Sequence, residues 1–148
     1  MAEIIIEKGG MLTTIQDSGR HGYQRFGMPV SGAMDLLALQ TANTLVGNSS
    51  GNTHITGDSS GNPSLCGNNP GAAALEATLT GPAILFRGSI ESASNDNFHP
   101  ATLCTIISIT GADMQPCING RPIEMYRPIN VNNGDRLTFS GLKNGCRT

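Results

Sequence analysis

At 148 residues the chain has the length of a single domain. Charged residues make up only 14% of it and the net charge is −2, with no Lys/Arg cluster anywhere, so the cationic footprint that nucleic acid demands is missing. No apolar run approaches the ~20 residues needed to span a bilayer, and Met1–Gly10 lacks a signal-peptide pattern, so a cytoplasmic protein with neither membrane nor nucleic-acid partner is expected.

The first strand is predicted over Glu3–Glu7, where three isoleucines suit a pleated, half-buried surface, and Gly9-Gly10 ends it. Leu12–Gln16 reads as a second short strand. Asp17–Gly32 has no clean period and reads as a long ordered loop, a kind of segment that often carries function. One amphipathic helix follows: Met34, Leu37, Ala38, Thr41, Ala42 and Leu45 recur at helical spacing. Ser31 is the expected N-cap, Asp35 sits where the helix dipole favours a carboxylate, and Gly47 is the expected stop.

From Asn48 to Gly71 the chain turns Gly/Asn/Ser-rich and reads as a flexible insertion that cannot bury enough surface to offset its ordering entropy. Leu75, Ala77 and Leu79 then alternate with Glu76, Thr78 and Thr80, which is the strand period. Gly81-Pro82 turns the chain into a strand holding Ile84 and Phe86, and a second polar stretch runs from Gly88 to Pro100. Cys104–Ile109 is a buried-strand candidate. Asn119-Gly120 is the dipeptide best suited to a two-residue type I′ hairpin. Asn133-Gly134-Asp135 turns the chain once more into Leu137–Phe139. Many short strands and one helix indicate a mainly β fold, a small barrel or sandwich.

Several patterns carry chemistry in other proteins and are weak here. Gly57-Asp58-Ser59-Ser60-Gly61, with His54 upstream, spells the serine-hydrolase pattern, but its polar flanks offer neither the buried strand nor the helix that would hold a nucleophile. Asn48-Ser49-Ser50 matters as a glycosylation acceptor only in a secreted chain. No G-x-x-x-x-G-K-[ST] phosphate loop exists. Cys66, Cys104, Cys117 and Cys146 form no C-x-x-C pair and read as four free thiols, so no metal site is expected. The segment Thr13–Tyr23 differs, since it gathers Gln16, Asp17, Arg20, His21 and Tyr23 around two glycines, as anion recognition or proton transfer would require. The plainer reading of the same residues is a turn capped by Asp17, with Arg20 paired to that carboxylate.

Thr13–Tyr23, Gly27-Met28-Pro29, Ser31–Asp35, Ala42-Asn43 and Leu45–Asn48 closely resemble the opening of the family to which the C subunit of bacterial 5-oxoprolinase belongs. This is the biotin-dependent carboxyltransferase-like family, which also supplies the carboxyltransferase part of urea amidolyase. The likeness continues at Ala74–Pro82, Thr110–Met114, Asn119-Gly120 and Gly145-Cys146-Arg147.

The resemblance implies a cyclophilin-like β-barrel, here partial, with one amphipathic helix. It implies a component of an ATP-dependent 5-oxoprolinase complex, with A-like and B-like partner subunits, that opens 5-oxo-L-proline to L-glutamate. ATP would act through the complex, and biotin would matter only in a urea carboxylase setting. Another relative antagonises a protein inhibitor of a sporulation kinase, so a regulatory binding protein is the alternative of a different class. The pocket is expected between this chain and a partner. Asp17, Arg20 and His21 are the catalytic candidates: Arg20 for an anionic substrate group, Asp17 or His21 for proton transfer. Gln16, Tyr23, Ser31, Asp35 and Asn43 are expected at the interface with substrate or partner, although Asp35 suits the helix start better than chemistry. Family members are longer and continue beyond the Gly-Cys-Arg motif. Residues 1–148 are therefore read as the N-terminal part of such a domain, truncated and with polar insertions at about 49–70 and 88–103.

Overall fold

A computed structural model describes residues 2–48, 55–57, 63–65, 72–88 and 104–148. The chain is mainly β with one α-helix. Strand β1 (Ala2–Lys8) and β2 (Leu12–Gln16) lie where the isoleucine run and the following alternation place them. Helix α1 spans Leu36–Leu45. Two three-residue strands, β3 (Ile55–Gly57) and β4 (Pro63–Leu65), pair antiparallel inside the stretch expected to lack structure. A ladder this short is made by backbone hydrogen bonds and needs no apolar period, so pattern reading passes over it. Ser59, His54, Ser49, Ser50, Cys66 and the expected insertion beyond Gly88 lie outside the described residues.

Next come β5 (Ala74–Thr78), β6 (Ala83–Gly88), β7 (Cys104–Ile107), β8 (Pro116–Ile118), β9 (Arg121–Pro122), β10 (Ile129–Asn132) and β11 (Arg136–Phe139). The largest sheet has the order β1-β6-β11-β8-β9, while β2 pairs with β5, and β7 with β10. Among the described residues these ladders do not close into a barrel; the five-stranded sheet is open, with β1 and β9 at its edges. One cause is visible between β10 and β11. The Asn133-Gly134-Asp135 turn joins them, yet they do not pair with each other. Gly134 donates its N–H to the Phe86 carbonyl and the Asp135 carbonyl accepts from Phe86 N–H, so the turn is spent on β6 and the chain changes sheets.

The core is Ile84, Phe86, Ile109, Val131 and Leu137, with Leu75, Ile107 and Phe139 packed against it. The Asn119-Gly120 hairpin forms as expected: both residues have positive φ, 51° and 77°, and Cys117 and Ile118 face Pro122 and Arg121 across it. Asp135 ties this hairpin to the next turn, since its carboxylate accepts from Asn119 Nδ2 at 2.8 Å and from Asn132 N–H at 2.7 Å.

The helix departs from expectation in two respects. Its N-cap is Asp35, whose Oδ1 accepts from Ala38 N–H at 2.9 Å. Ser31 is not the cap; it lies outside the helix in the left-handed region, with φ 58°. The buried face is also rotated. Leu39 and Asn43 are buried, whereas Met34 and Leu37 are 71% and 74% exposed. The apolar pattern misleads because a polar residue occupies the inner stripe. Asn43 is tolerated there because its Nδ2 donates to the carbonyls of Leu39 and Ala72, both at 3.0 Å. Gly47, with φ 80°, stops the helix as expected.

Two strands end earlier than their patterns suggest. After β7 the chain leaves the ladder, and the Ser108 and Thr110 hydroxyls donate instead to the helix carbonyls of Ala42 and Ala38. After β5, Leu79 takes a φ of 62° and gives its N–H to the Cys146 carbonyl.

Candidate functional site

The loop after β2 is closed at its base by backbone alone. Arg20 N–H donates to the Val30 carbonyl at 2.8 Å, and Ala33 N–H donates to the Asp17 carbonyl at 2.9 Å. Gly19 and Gly32 pack against each other there. A Cβ on Gly32 would stand 2.6 Å from the Gly19 nitrogen and 2.8 Å from the Asp17 carbonyl oxygen, and both glycines have positive φ. Asp17 is turned into the loop, its Oδ1 accepting from Gly19 N–H at 2.7 Å. Among the described residues no ion pair joins Asp17 to Arg20, so the turn-capping half of the plainer reading holds and the pairing half does not. His21 Nε2 lies 3.3 Å from the Ser18 carbonyl. Asp17, Arg20, His21 and Tyr23 are all exposed on this loop. The Tyr23 carbonyl opens a 3-10 turn over Gln24–Phe26 by accepting from Phe26 N–H.

The loop leads into α1 through a contact that sequence reasoning missed. Met34 N–H donates to Glu76 Oε2 at 2.7 Å, and the other oxygen of Glu76 accepts from Arg147 Nη1 at 2.7 Å. The Glu76 side chain is 12% exposed and that of Arg147 29%. Arg147 is held there because Cys146–Thr148 runs beside β5: Ala77 and Thr148 exchange both backbone hydrogen bonds, and Leu79 donates to Cys146. The Thr148 hydroxyl adds a bond to the Thr110 carbonyl at 2.7 Å. Gly111 meets the same segment, where a Cβ would stand 2.6 Å from the Arg147 carbonyl oxygen. Tyr126 holds Gly111 from the far side, its hydroxyl bonded to both the N–H and the carbonyl at 3.0 and 3.1 Å.

The Glu76–Arg147 pair lies beside two spaces. One is a cavity of about 330 Å³ beneath α1, with mostly apolar walls and with Gln16, Asp35, Asn43, Glu76 and Arg147 contributing polar groups. The other is a groove of about 950 Å³ lined by Met34, Asp35, Gly111, Asp113, Tyr126 and Arg147 among others. Asp35 and Arg147 border both. Of the residues singled out from sequence, Gln16, Asp35 and Asn43 therefore border the cavity, while Asp17, Arg20, His21, Tyr23 and Ser31 belong to the neighbouring loop. Gln16 is oriented by a hydrogen bond to Thr14 Oγ1 at 3.0 Å.

Among the described residues no cluster of His, Cys, Asp or Glu is placed to hold a metal ion, and no helix is long and apolar enough to cross a membrane. Cys117 and Cys146 are free thiols, the first buried and the second exposed at the groove.

Ser31–Asp35, Ala74–Pro82, Thr110–Met114 and Gly145–Arg147 are distant in sequence and meet at this one place. The model of one protein family, described as carboxyltransferase domain, subdomain A and B, matches residues 26–56 and 60–148. The chain belongs to the carboxyltransferase-domain family. It is 37% identical over 139 residues to urea amidolyase of Lachancea kluyveri, a match that covers 93% of this chain and 6% of that protein. A stretch of 45 residues is 51% identical to the C subunit of 5-oxoprolinase from Escherichia coli (strain K12), covering 30% of this chain and 14% of that protein. The crystal structure of Kluyveromyces lactis urea carboxylase superposes with a TM-score of 0.70 at 30% identity, over 97% of this chain and 10% of that one. This carboxyltransferase-family chain thus spans a small part of the length of the relatives it matches.

Proposed function

We propose that the chain is the C-type component of an ATP-dependent 5-oxoprolinase, opening 5-oxo-L-proline to L-glutamate with A-like and B-like partner subunits. The carrying observation is the Glu76–Arg147 pair set between groove and cavity, beside a rigidly closed loop that presents Arg20 and His21. A lactam substrate carries a carboxylate and a planar amide. Arg20 suits the carboxylate, because a guanidinium offers a rigid fork of donors to two oxygens. His21, or Asp17 once released from its turn, moves the proton that amide opening requires. Gln16, Tyr23, Ser31, Asp35 and Asn43 shape the floor and rim that face substrate and partner. The chain has no phosphate loop, so in this reading ATP is held by the partners. The described ladders are read as part of a cyclophilin-like barrel.

A second reading, a part of a biotin-dependent urea carboxylase, is favoured by the identity to urea amidolyase across 139 residues. There biotin supplies the transferable carboxyl group. Arg147, with guanidinium N–H groups beyond the one given to Glu76, is the residue at the groove whose donors fit such a carboxylate.

The test is Arg20→Ala in a complex reconstituted with the A-like and B-like partners. ATP-dependent glutamate formation is expected to fall by about 10- to 100-fold in kcat/KM, the equivalent of roughly 1.5–3 kcal/mol for a charge-assisted contact. Unchanged turnover removes Arg20 from the site, and binding of the partners without any turnover points to a regulatory protein. Biotin-dependent carboxylation of urea by the same preparation favours the second reading.

A further inference from the structure

On β6, Ile84 and Phe86 are buried, at 5% and 4% exposure. Their cross-strand partners on β1 are Ile6 and Ile4. Directly opposed residues of an antiparallel pair share a face, so these two isoleucines also point to the core side. Yet Ile6 is 43% and Ile4 51% exposed. Ile4 borders the cavity beneath α1, so the apolar layer of the sheet continues one strand beyond the packed core. β1 is an edge of that sheet, and among the described residues it pairs with β6 alone. Edges of this kind are normally blunted by a bulge or by charge. Here the register shift falls between Ile6 and Lys8, after the isoleucine run, and leaves Glu3–Ile6 in regular register.

The edge is also a palindrome, Glu3-Ile4-Ile5-Ile6-Glu7. Antiparallel pairing with a second copy about Ile5 sets Ile4 opposite Ile6 of that copy, with all four on the apolar face, and Ile5 opposite its own equivalent. The same register brings Glu3 opposite Glu7 of the other copy, and like charges so placed destabilise a sheet. In this chain Glu7 is already neutralised. Arg136 Nη2 donates to its Oε1 at 2.8 Å and Arg136 Nε lies 2.8 Å from its Oε2. The Arg136 side chain is 54% exposed, and its guanidinium has further N–H donors for an incoming carboxylate.

We propose that two copies of the chain associate through β1, antiparallel about Ile5, with Arg136 bridging Glu7 of its own chain and Glu3 of the other. Complementary charge then selects the register that the apolar face requires, and the two five-stranded sheets become one. This association is independent of the catalytic reading.

Sedimentation equilibrium of the full 148-residue chain tests it. The expected result is a concentration-dependent mass rising toward twice that of the monomer. Arg136→Ala is expected to weaken association about tenfold. Glu3→Gln added to that variant is expected to restore it, because the repelling charge is then gone. Far-ultraviolet circular dichroism checks that each variant is folded. A chain that stays monomeric at every concentration overturns the proposal, as does a dimer that Arg136→Ala leaves unchanged or that Glu3→Gln fails to restore.

Discussion

Glu76→Ala is expected to lower folding stability by about 2–3 kcal/mol, more than any other single carboxylate replacement in the described structure. Its side chain is 12% exposed and serves two donors at once, Met34 N–H and the Arg147 guanidinium. Removing it strands a backbone donor at the entrance to α1 and leaves a part-buried cation without its counter-charge. A fully buried pair broken in this way costs roughly 3–5 kcal/mol, and the 29% exposure of Arg147 reduces that penalty by letting water in. Glu76→Gln keeps an acceptor for Met34 and is expected to lose less. Arg147→Ala is expected to cost about 1–2 kcal/mol, and the double variant less than the two single losses added together, since each single change leaves the other group unpaired. Urea denaturation of the four proteins checks this. Strict additivity would mean that the pair does not couple and that the two segments are held by backbone pairing alone.

Gly32→Ala is expected to cost about 3 kcal/mol or more and to disorder the presentation of Arg20 and His21. Two penalties combine at this position. A side chain at φ 86° costs roughly 1–2 kcal/mol by itself, and the new Cβ meets the Gly19 nitrogen at 2.6 Å and its Cα at 2.7 Å. Both are backbone atoms of a turn that is itself pinned by Asp17, so neither can withdraw cheaply. Gly22 separates the two effects, because its φ is 87° but nothing lies within 4 Å of a Cβ there. Gly22→Ala is therefore expected to cost only the conformational part, roughly 1–2 kcal/mol. Denaturant midpoints for the two variants check the contrast, and equal losses would show that the clasp between Gly19 and Gly32 bears no strain.

Short-range physics made much of the fold legible from residues alone. The isoleucine run at β1, the Asn119-Gly120 hairpin and the Gly47 stop are signals read within a few residues, and each is where the pattern places it. Long-range choices were hidden. Whether β10 would pair with β7 or with β11 depends on which chain captures the Asn133–Asp135 turn, and Phe86 on β6 does so. The helix face was misread because Asn43 is buried with its amide satisfied, which no apolar pattern can anticipate. Asp35 displaced Ser31 as the cap because the helix begins only at Leu36.

The loop residues singled out as site candidates stand within one short run, Thr13–Tyr23, and so come within reach of sequence reading. Glu76 and Arg147 were not, because 71 positions separate them. Both lay inside segments that carried the family resemblance, and that was the only trace of their meeting. The close approach at Gly32 was equally silent. The chain has 19 glycines, so composition cannot tell the few that a backbone contact requires from the many that simply turn.

The purified chain assayed for ATP-dependent glutamate formation, with and without the A-like and B-like subunits proposed as its partners, tests the central claim most directly. Under the proposed function turnover is expected only in the mixture, because in that reading a second polypeptide completes the pocket of which loop and groove are one wall. Equal turnover by the chain alone, or none from a mixture in which the partners are bound, would contradict it.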